Sequence, residues 1–319
     1  MNLNYLFYNE YFNFLVDSHA KTPTEIDEAI VHMQVSEQAG EDIPCNSFCM
    51  QTTYPGLLFG IGNAHDVSKL QVENAKSAIK IGFTFDYVTG LPIIPGSTVK
   101  GVLRSAFSNH PDYVLDCLGW EENEENKEHL AQIEKLLFGD NKEIDTRVQD
   151  VFLSAVPIKA GKDNRLMGDD YVTSHKAEDE RYNGLIEPNP VKMLKVIPGV
   201  VYKFRFLLKD TVLPCENDSI ILSAAQKLKL FQQIIEDLGM GAKTNVGYGN
   251  MIPVTVEDAN KMLVLGEPHF EEKKEKSAQN GKTEQRICAN PGCNNKVTKN
   301  KQTGKWNRLC YSCFSKGRK

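Results

Sequence analysis

Four cysteines near the end of the chain, Cys288-x4-Cys293-x16-Cys310-x2-Cys313, have the residue type and spacing that a tetrahedral Zn²⁺ ion requires. Two close pairs of soft thiolates flank a stretch long enough for a hairpin. Four protein ligands leave no coordination position for water, so a zinc ion held there is structural. The competing reading is four unligated cysteines in a disordered tail, which gives this short segment no means of folding, since so few residues cannot bury a core of their own. Lys296, Lys299, Lys301, Lys305 and Arg308 surround Trp306 between the two pairs. They suit a phosphate backbone with a stacked base, and equally a small aromatic core with a solvated shell.

A second constellation, Gly239-Met-Gly241-Ala-Lys243-Thr244-Asn245-Val-Gly247-Tyr248-Gly249, combines glycines that let a backbone approach a ligand with side chains that donate to phosphate oxygens. It follows a helical pattern and precedes a strand pattern, the reverse of a nucleotide P-loop, so NTPase chemistry is not expected. Its bland alternative is a flexible hairpin or bulge. In a third constellation, Ile94-Pro-Gly96-Ser97-Thr98-Val-Lys100-Gly101-Val-Leu-Arg104, small residues open a helix whose orphan amides favour an anion, and Lys100 and Arg104 lie one turn apart. A solvated helix face reads the same way. The cluster Thr53-Tyr54-Pro55-Gly56-Leu-Leu-Phe59-Gly60-Ile-Gly62 fits neither a phosphate loop nor a dinucleotide fingerprint. For acid–base work the best candidates are His65 beside Asp66, and His175 near Asp169 and Asp170, but sequence neighbours are not a catalytic geometry. Binding is better supported than catalysis.

The elements that must position these groups can be read from periodicity. Ile79, Ile81, Phe83, Phe85 and Tyr87 alternate with polar residues as in a half-buried strand, and Ser97 stands where a helix N-cap belongs, ahead of an apolar face of Val99, Val102, Leu103, Ala106 and Phe107. The unit repeats later. Tyr202, Phe204, Phe206 and Leu208 alternate, Ser219 can cap a long helix carrying Leu222, Ala225, Leu228, Phe231, Ile235 and Leu238, and Gly239 stops it. Met251 to Val256 reads as a further strand, with Pro253 suggesting a sheet edge. Residues 108–195 between the units are less regular and read as an insertion. They hold an acidic helical stretch (Glu121, Glu122, Glu124, Glu125) and a polar segment from Lys159 to Asn189 too long for an ordinary connection. The aromatic N-terminal run from Tyr5 to Leu15 reads as a buried element rather than an exposed docking stripe. This pattern predicts an α+β domain over residues 1–270, ferredoxin-like or RRM-like, with helices on one face of a largely antiparallel sheet. Residues 271–286, EEKKEKSAQNGKTEQR, are too polar to bury anything and read as a linker, leaving 287–319 as a small zinc-ribbon-like module.

Composition sets the partners. Of 319 residues 41% are hydrophobic and 25% charged, which is ordinary for a globular chain and excludes a collagenous or wholly disordered one. The net charge of −5 conceals a split: residues 287–319 contain 8 Lys/Arg and no Asp/Glu, leaving 29 basic against 42 acidic residues before them. No run is apolar enough for a membrane span and the first basic residue is Lys21, so a cytoplasmic protein with reduced thiols and no membrane partner is expected.

Taken together, the stretches 53–62, 94–104 and 239–249 resemble the RAMP superfamily of CRISPR effector proteins. Leu137-Phe138-Gly139 and Glu187-Pro188-Asn189-Pro190-Val191 narrow the resemblance to the sixth subunits of the type III-B (Cmr) complex. The resemblance spans roughly residues 1–256. It implies an RRM-like fold and a place at the end of an RNA-guided complex in antiviral defence, holding the 3′ part of the CRISPR RNA, near target RNA, against the backbone subunit and the first Cmr subunit. It also implies that the glycine loops and basic helix face RNA, which assigns contacts to Gly56, Gly60, Gly62, Ser97, Thr98, Lys100, Arg104, Gly239, Gly241, Lys243, Thr244, Asn245, Gly247, Tyr248 and Gly249. Target cleavage in such complexes belongs to the backbone subunit, and no aspartate here is matched to its loop, so a non-catalytic RNA-binding subunit is expected. The rival is a RAMP endoribonuclease that processes CRISPR RNA or cleaves target RNA, using His65, His175 or a loop aspartate. A free zinc-ribbon regulator with an inert body leaves the glycine motifs without a purpose. The cysteine tail lies outside the family pattern.

Overall fold

A computed structural model describes residues 2–15, 17, 19–40, 43–59, 79, 83–139, 149–174, 189–215, 219–257 and 259–270, together with 288, 289, 293–295, 297 and 313. The chain divides into two compact units, Met1–Phe270 and Glu271–Lys319. In the first, α1 (Leu3–Tyr8) and α2 (Pro23–Val31) precede β1 (Val35–Ala39) and β2 (Asn46–Thr52). Then come α3 (Gly96–Asn109), α4 (Pro111–Leu118), α5 (Glu124–Phe138), β3 (Val151–Phe152), β4 (Val156–Lys159), β5 (Met167–Ser174) and β6 (Asn189–Val196). The unit ends with β7 (Val201–Leu207), β8 (Thr211–Pro214), β9 (Ser219–Leu222), α6 (Ala224–Leu238), β10 (Met251–Val254) and β11 (Lys261–Leu265).

The central sheet runs β10-β2-β7-β3, with β4 also on β7, and every pairing is antiparallel. Chain order through it is β2, α3, β3 and β4, β7, α6, β10, the ferredoxin-like split βαβ arrangement. Period-two burial explains β2: Phe48, Met50 and Thr52 point inward while Ser47, Cys49 and Gln51 are only half-buried. Phe48 faces Phe204 across the ladder with stacked rings 5.2 Å apart. Phe206 and Phe152 close on Phe231 of α6 at 5.6 and 5.8 Å, which fixes that helix on the sheet. β1–β11, β5–β6 and β8–β9 form separate two-stranded ladders. Leu6, Phe7 and Tyr11 of the N-terminal run are wholly buried, as is Leu3 just before it, while Tyr5 is exposed.

Several local expectations are corrected. The sheet strand that precedes α3 is β2, not Ile79–Tyr87. Ile79, Phe83 and Phe85 are buried, but Phe85 makes only an isolated bridge to Pro92, because Asp86 accepts from Thr89 and Gly90 and turns the chain back; residues 80–82 lie outside the described residues. Ser97 lies inside the first turn of α3, whose N-cap is Pro95 with no side-chain cap. Ser219 opens β9, which pairs with β8 and takes Leu222 with it. The true cap of α6 is Ser223, in a capping box with Gln226. The run Ile220-Ile221-Leu222 is apolar enough for either element, and the β8 partner decides. The stretch 108–195 supplies β3 and β4 to the central sheet besides its added helices and hairpin. Pro253 does sit on the edge strand β10.

Candidate nucleic-acid interface

The glycine loop begins where α6 ends at Gly239, whose φ of 70° takes the chain out of the helix. Met240 N–H donates to Gly249 O (2.9 Å), Ala242 N–H to Leu58 O (3.0 Å) and Gly249 N–H to Gly56 O (2.8 Å), so the loop is zipped shut and laid on residues 56–58. Leu57 in turn exchanges bonds of 3.0 and 2.9 Å with Val196 of β6. Close approach explains two glycines. A Cβ on Gly249 would lie 1.9 Å from Met240 O, and one on Gly241 would lie 2.4 Å from Leu58 O. The amides of Met240, Ala242, Val246, Gly247 and Gly249 all donate inside the protein, which rigidifies the loop. Lys243 and Asn245 are exposed, and Thr244 is half-buried.

The loop faces α3 across an open cleft of about 590 Å³. Thr98, Gly101, Ser105 and His110 line one side, and Gly239, Gly241, Thr244 and Asn245 line the other. Two sequence motifs separated by some 140 residues thus meet at one site. Its donors are hydroxyl, amide and imidazole groups and it has no lining carboxylate among the described residues, a surface suited to phosphate and sugar oxygens. Lys100 and Arg104 do not line it. Arg104 Nε instead donates to Glu134 Oε1 of α5 at 3.2 Å, so the expected cationic ridge is partly neutralised.

Beneath the loop lies a polar node. Tyr248 Oη donates to Asp170 Oδ2 at 2.6 Å and Lys195 Nζ donates to the same oxygen at 2.6 Å, tying the β5–β6 hairpin to the glycine loop. Burial pushes the Asp170 carboxyl up, but the hydrogen bonds from Lys195 and Tyr248 outweigh it and hold the group below its ordinary range. Burial and the bond to Asp170 push the Tyr248 phenol up. On the same hairpin Lys192 bridges Asp169 and the fully buried Asp27 of α2, each at 3.2 Å, and Asp27 also accepts from Tyr11 Oη at 2.6 Å. Burial raises Asp27 to about 6. Both aspartates near His175 are therefore ion-paired. No sequence signal joined them to Lys192 and Lys195, although the i, i+3 lysines on a strand beside an Asp-Asp pair were visible.

In the second unit the sulfurs of Cys288, Cys293 and Cys313 lie within 4.8 Å of one another. Tetrahedral zinc thiolate geometry puts sulfurs roughly 3.8 Å apart, so this donor set fits Zn²⁺. Cys288 is buried against Val297, and its N–H donates to Asn295 O at 2.9 Å.

A family model described as the RAMP superfamily matches residues 49–252, a span that runs from within β2 to within β10 and contains both sides of the cleft. The chain belongs to the RAMP superfamily. A curated relative, the CRISPR system CMR subunit Cmr6 of Saccharolobus solfataricus, is 28% identical over 170 residues, covering 52% of this chain and 46% of that protein. The chain thus matches less than half of that relative's length. Among solved structures, a type III-B Cmr-beta complex bound to cognate target RNA contains a similar chain at 21% identity and a TM-score of 0.45, covering 73% of this chain and 60% of that one. Cmr6 from Pyrococcus furiosus gives 18% identity and a TM-score of 0.33, covering 69% and 98%. Of the residues expected to act in this RAMP protein, Gly60, Gly62, His65, His175 and Cys310 lie outside the described residues, as do Trp306 and the lysines around it. No helix among the described residues is long and apolar enough to cross a membrane.

Proposed function

We propose that this RAMP protein is a non-catalytic RNA-binding subunit of a type III-B, Cmr-like RNA-guided assembly, near the 3′ end of the CRISPR RNA and beside the backbone and first Cmr subunits. The carrying observation is the cleft in which Thr98 and Gly101 of α3 meet Gly241, Thr244 and Asn245 of the glycine loop. Similarity to Cmr6 supports the choice of assembly. The acidic excess before residue 287 agrees with a fixed subunit rather than a free RNA binder, because nonspecific affinity rests on phosphate neutralisation. Residues 1–270 are then the RNA-contacting domain, 271–286 a linker, and 287–319 a module folded on a structural Zn²⁺ held by Cys288, Cys293, Cys310 and Cys313.

Photo-crosslinking of guide RNA in the assembly with its co-purifying partners is expected to join residues 241–245 to the 3′ part of the guide, while the isolated chain binds RNA weakly. Tight, sequence-specific binding by the lone chain would sink the reading. Incubation with repeat RNA and with guide-paired RNA is expected to give no cleavage by the purified chain; cleavage lost on replacing a single His or Asp would favour the endoribonuclease.

A further inference from the structure

Away from the cleft, a recess of about 380 Å³ is lined by His32, Gln34, Asp163, Arg165 and His269. These residues come from the end of α2, the start of β1, the turn before β5 and the segment after β11. Arg165 is three-quarters buried, its side chain 24% exposed, but its guanidinium is under-used. Nη1 lies 3.4 Å from His32 Nδ1 and Nη2 lies 3.4 Å from Asp163 Oδ2, both long contacts, and Nε is buried with no partner. The chain holds it there at a conformational cost. Asp163 and Asn164, neither a glycine, have consecutive φ values of 59° and 55°, and a bridge from Gln34 to Arg165 pins the turn.

We infer that this recess binds a phosphate group, gripped by the Arg165 fork with His32 and His269 as flanking donors. A planar guanidinium pairs with two oxygens of one phosphate at once, and each imidazole can add a further N–H. With Nδ1 of His32 facing the guanidinium, which only donates, its Nε2 carries the proton that is left to bind. Asp163 is the one group in the recess that opposes an anion. Its carboxylate is 56% exposed, and its long bond to Arg165 is the one a phosphate replaces. A metal ion is the poorer occupant, because the guanidinium is a fixed positive charge among the ligands. None of these residues belongs to the cleft, so the inference stands apart from the RNA-binding reading.

The test follows the His32 and His269 imidazole resonances of the full chain while inorganic phosphate is added at constant ionic strength against chloride, and then while a short single-stranded RNA is added. Saturable shifts of both rings with phosphate are expected. They vanish in Arg165→Gln, and in Arg165→Lys, which keeps the charge without the fork, the affinity falls about 10-fold. Shifts with RNA as well identify a backbone phosphate as the ligand; shifts with inorganic phosphate alone identify a free phosphate group. Should Arg165→Gln fail to fold, His269→Gln at its exposed position reads the same weakening through the His32 ring. No shift with either probe, or phosphate shifts undiminished in the folded variants, would overturn the inference.

Discussion

Replacing Gly101 with alanine separates stability from RNA contact in a way that misfolding cannot imitate. Gly101 lies inside α3, and a Cβ built on it meets nothing within 4 Å. Alanine there restricts the unfolded chain and suits the helix, a gain of about 0.8–1 kcal/mol. For a unit ending at Phe270, with roughly 2.1 cal/mol/K of unfolding entropy per residue, the gain raises Tm by about 1–2 °C. The same methyl enters the cleft that Gly101 lines opposite Gly241 and Thr244. If an RNA backbone packs there, the methyl displaces it enough to lose about one hydrogen bond to a charged group, ~1.5–3 kcal/mol, or roughly 10- to 100-fold in affinity. Scanning calorimetry and anisotropy of a labelled single-stranded RNA at low salt read the two effects on one preparation. Raised Tm with unchanged RNA affinity would refute the placement of RNA in the cleft while leaving the helix argument intact.

Four further outcomes are expected. Gly249→Ala forces a Cβ to within 1.9 Å of Met240 O at a φ of 78° and opens the loop, costing about 2–4 kcal/mol in urea unfolding. Lys227→Met strips the buried Asp150 of its partner at 2.5 Å and costs about 3–5 kcal/mol, much of it recovered when Asp150→Asn is added. Asp27 is protonated more readily folded than unfolded, so its contribution to stability is full below pH 4 and is lost as pH rises to about 6. Asp27→Asn should therefore gain on the wild type by about 2–3 kcal/mol between pH 4 and pH 7, measured by urea unfolding at each pH, and parallel profiles would refute the raised carboxyl. Metal analysis of the purified chain should find one zinc per molecule, lost with Cys288→Ser.

The long helix α6 was legible because Leu228, Phe231, Ile235 and Leu238 recur at helical spacing and Gly239 ends the pattern. Its cap was not, since Ile220, Ile221 and Leu222 satisfy a strand or a helix start equally, and only the ladder to Val212 and Leu213 decides. β2 escaped notice for a related reason: Asn-Ser-Phe-Cys-Met-Gln-Thr contrasts weakly between its two faces, and its place in the sheet comes from Phe204 and Phe206 opposite it. The Ile79–Tyr87 alternation misled because a turn at Asp86 ends it before any ladder forms among the described residues.

By itself the sequence marked the candidate binding groups: a four-cysteine set, a glycine loop after a helix, and a helix opened by small residues. Residue type and local spacing are enough for that, because coordination chemistry and helix starts are local. Only the tertiary structure decided what those residues meet. The strand order around β2 and β7 brings Thr98 and Gly101 opposite Thr244 and Asn245, turns Arg104 toward Glu134, and assembles His32, Arg165 and His269 around one recess. Such meetings depend on how distant segments bury their apolar faces against one another, and no periodicity within a single segment carries that information.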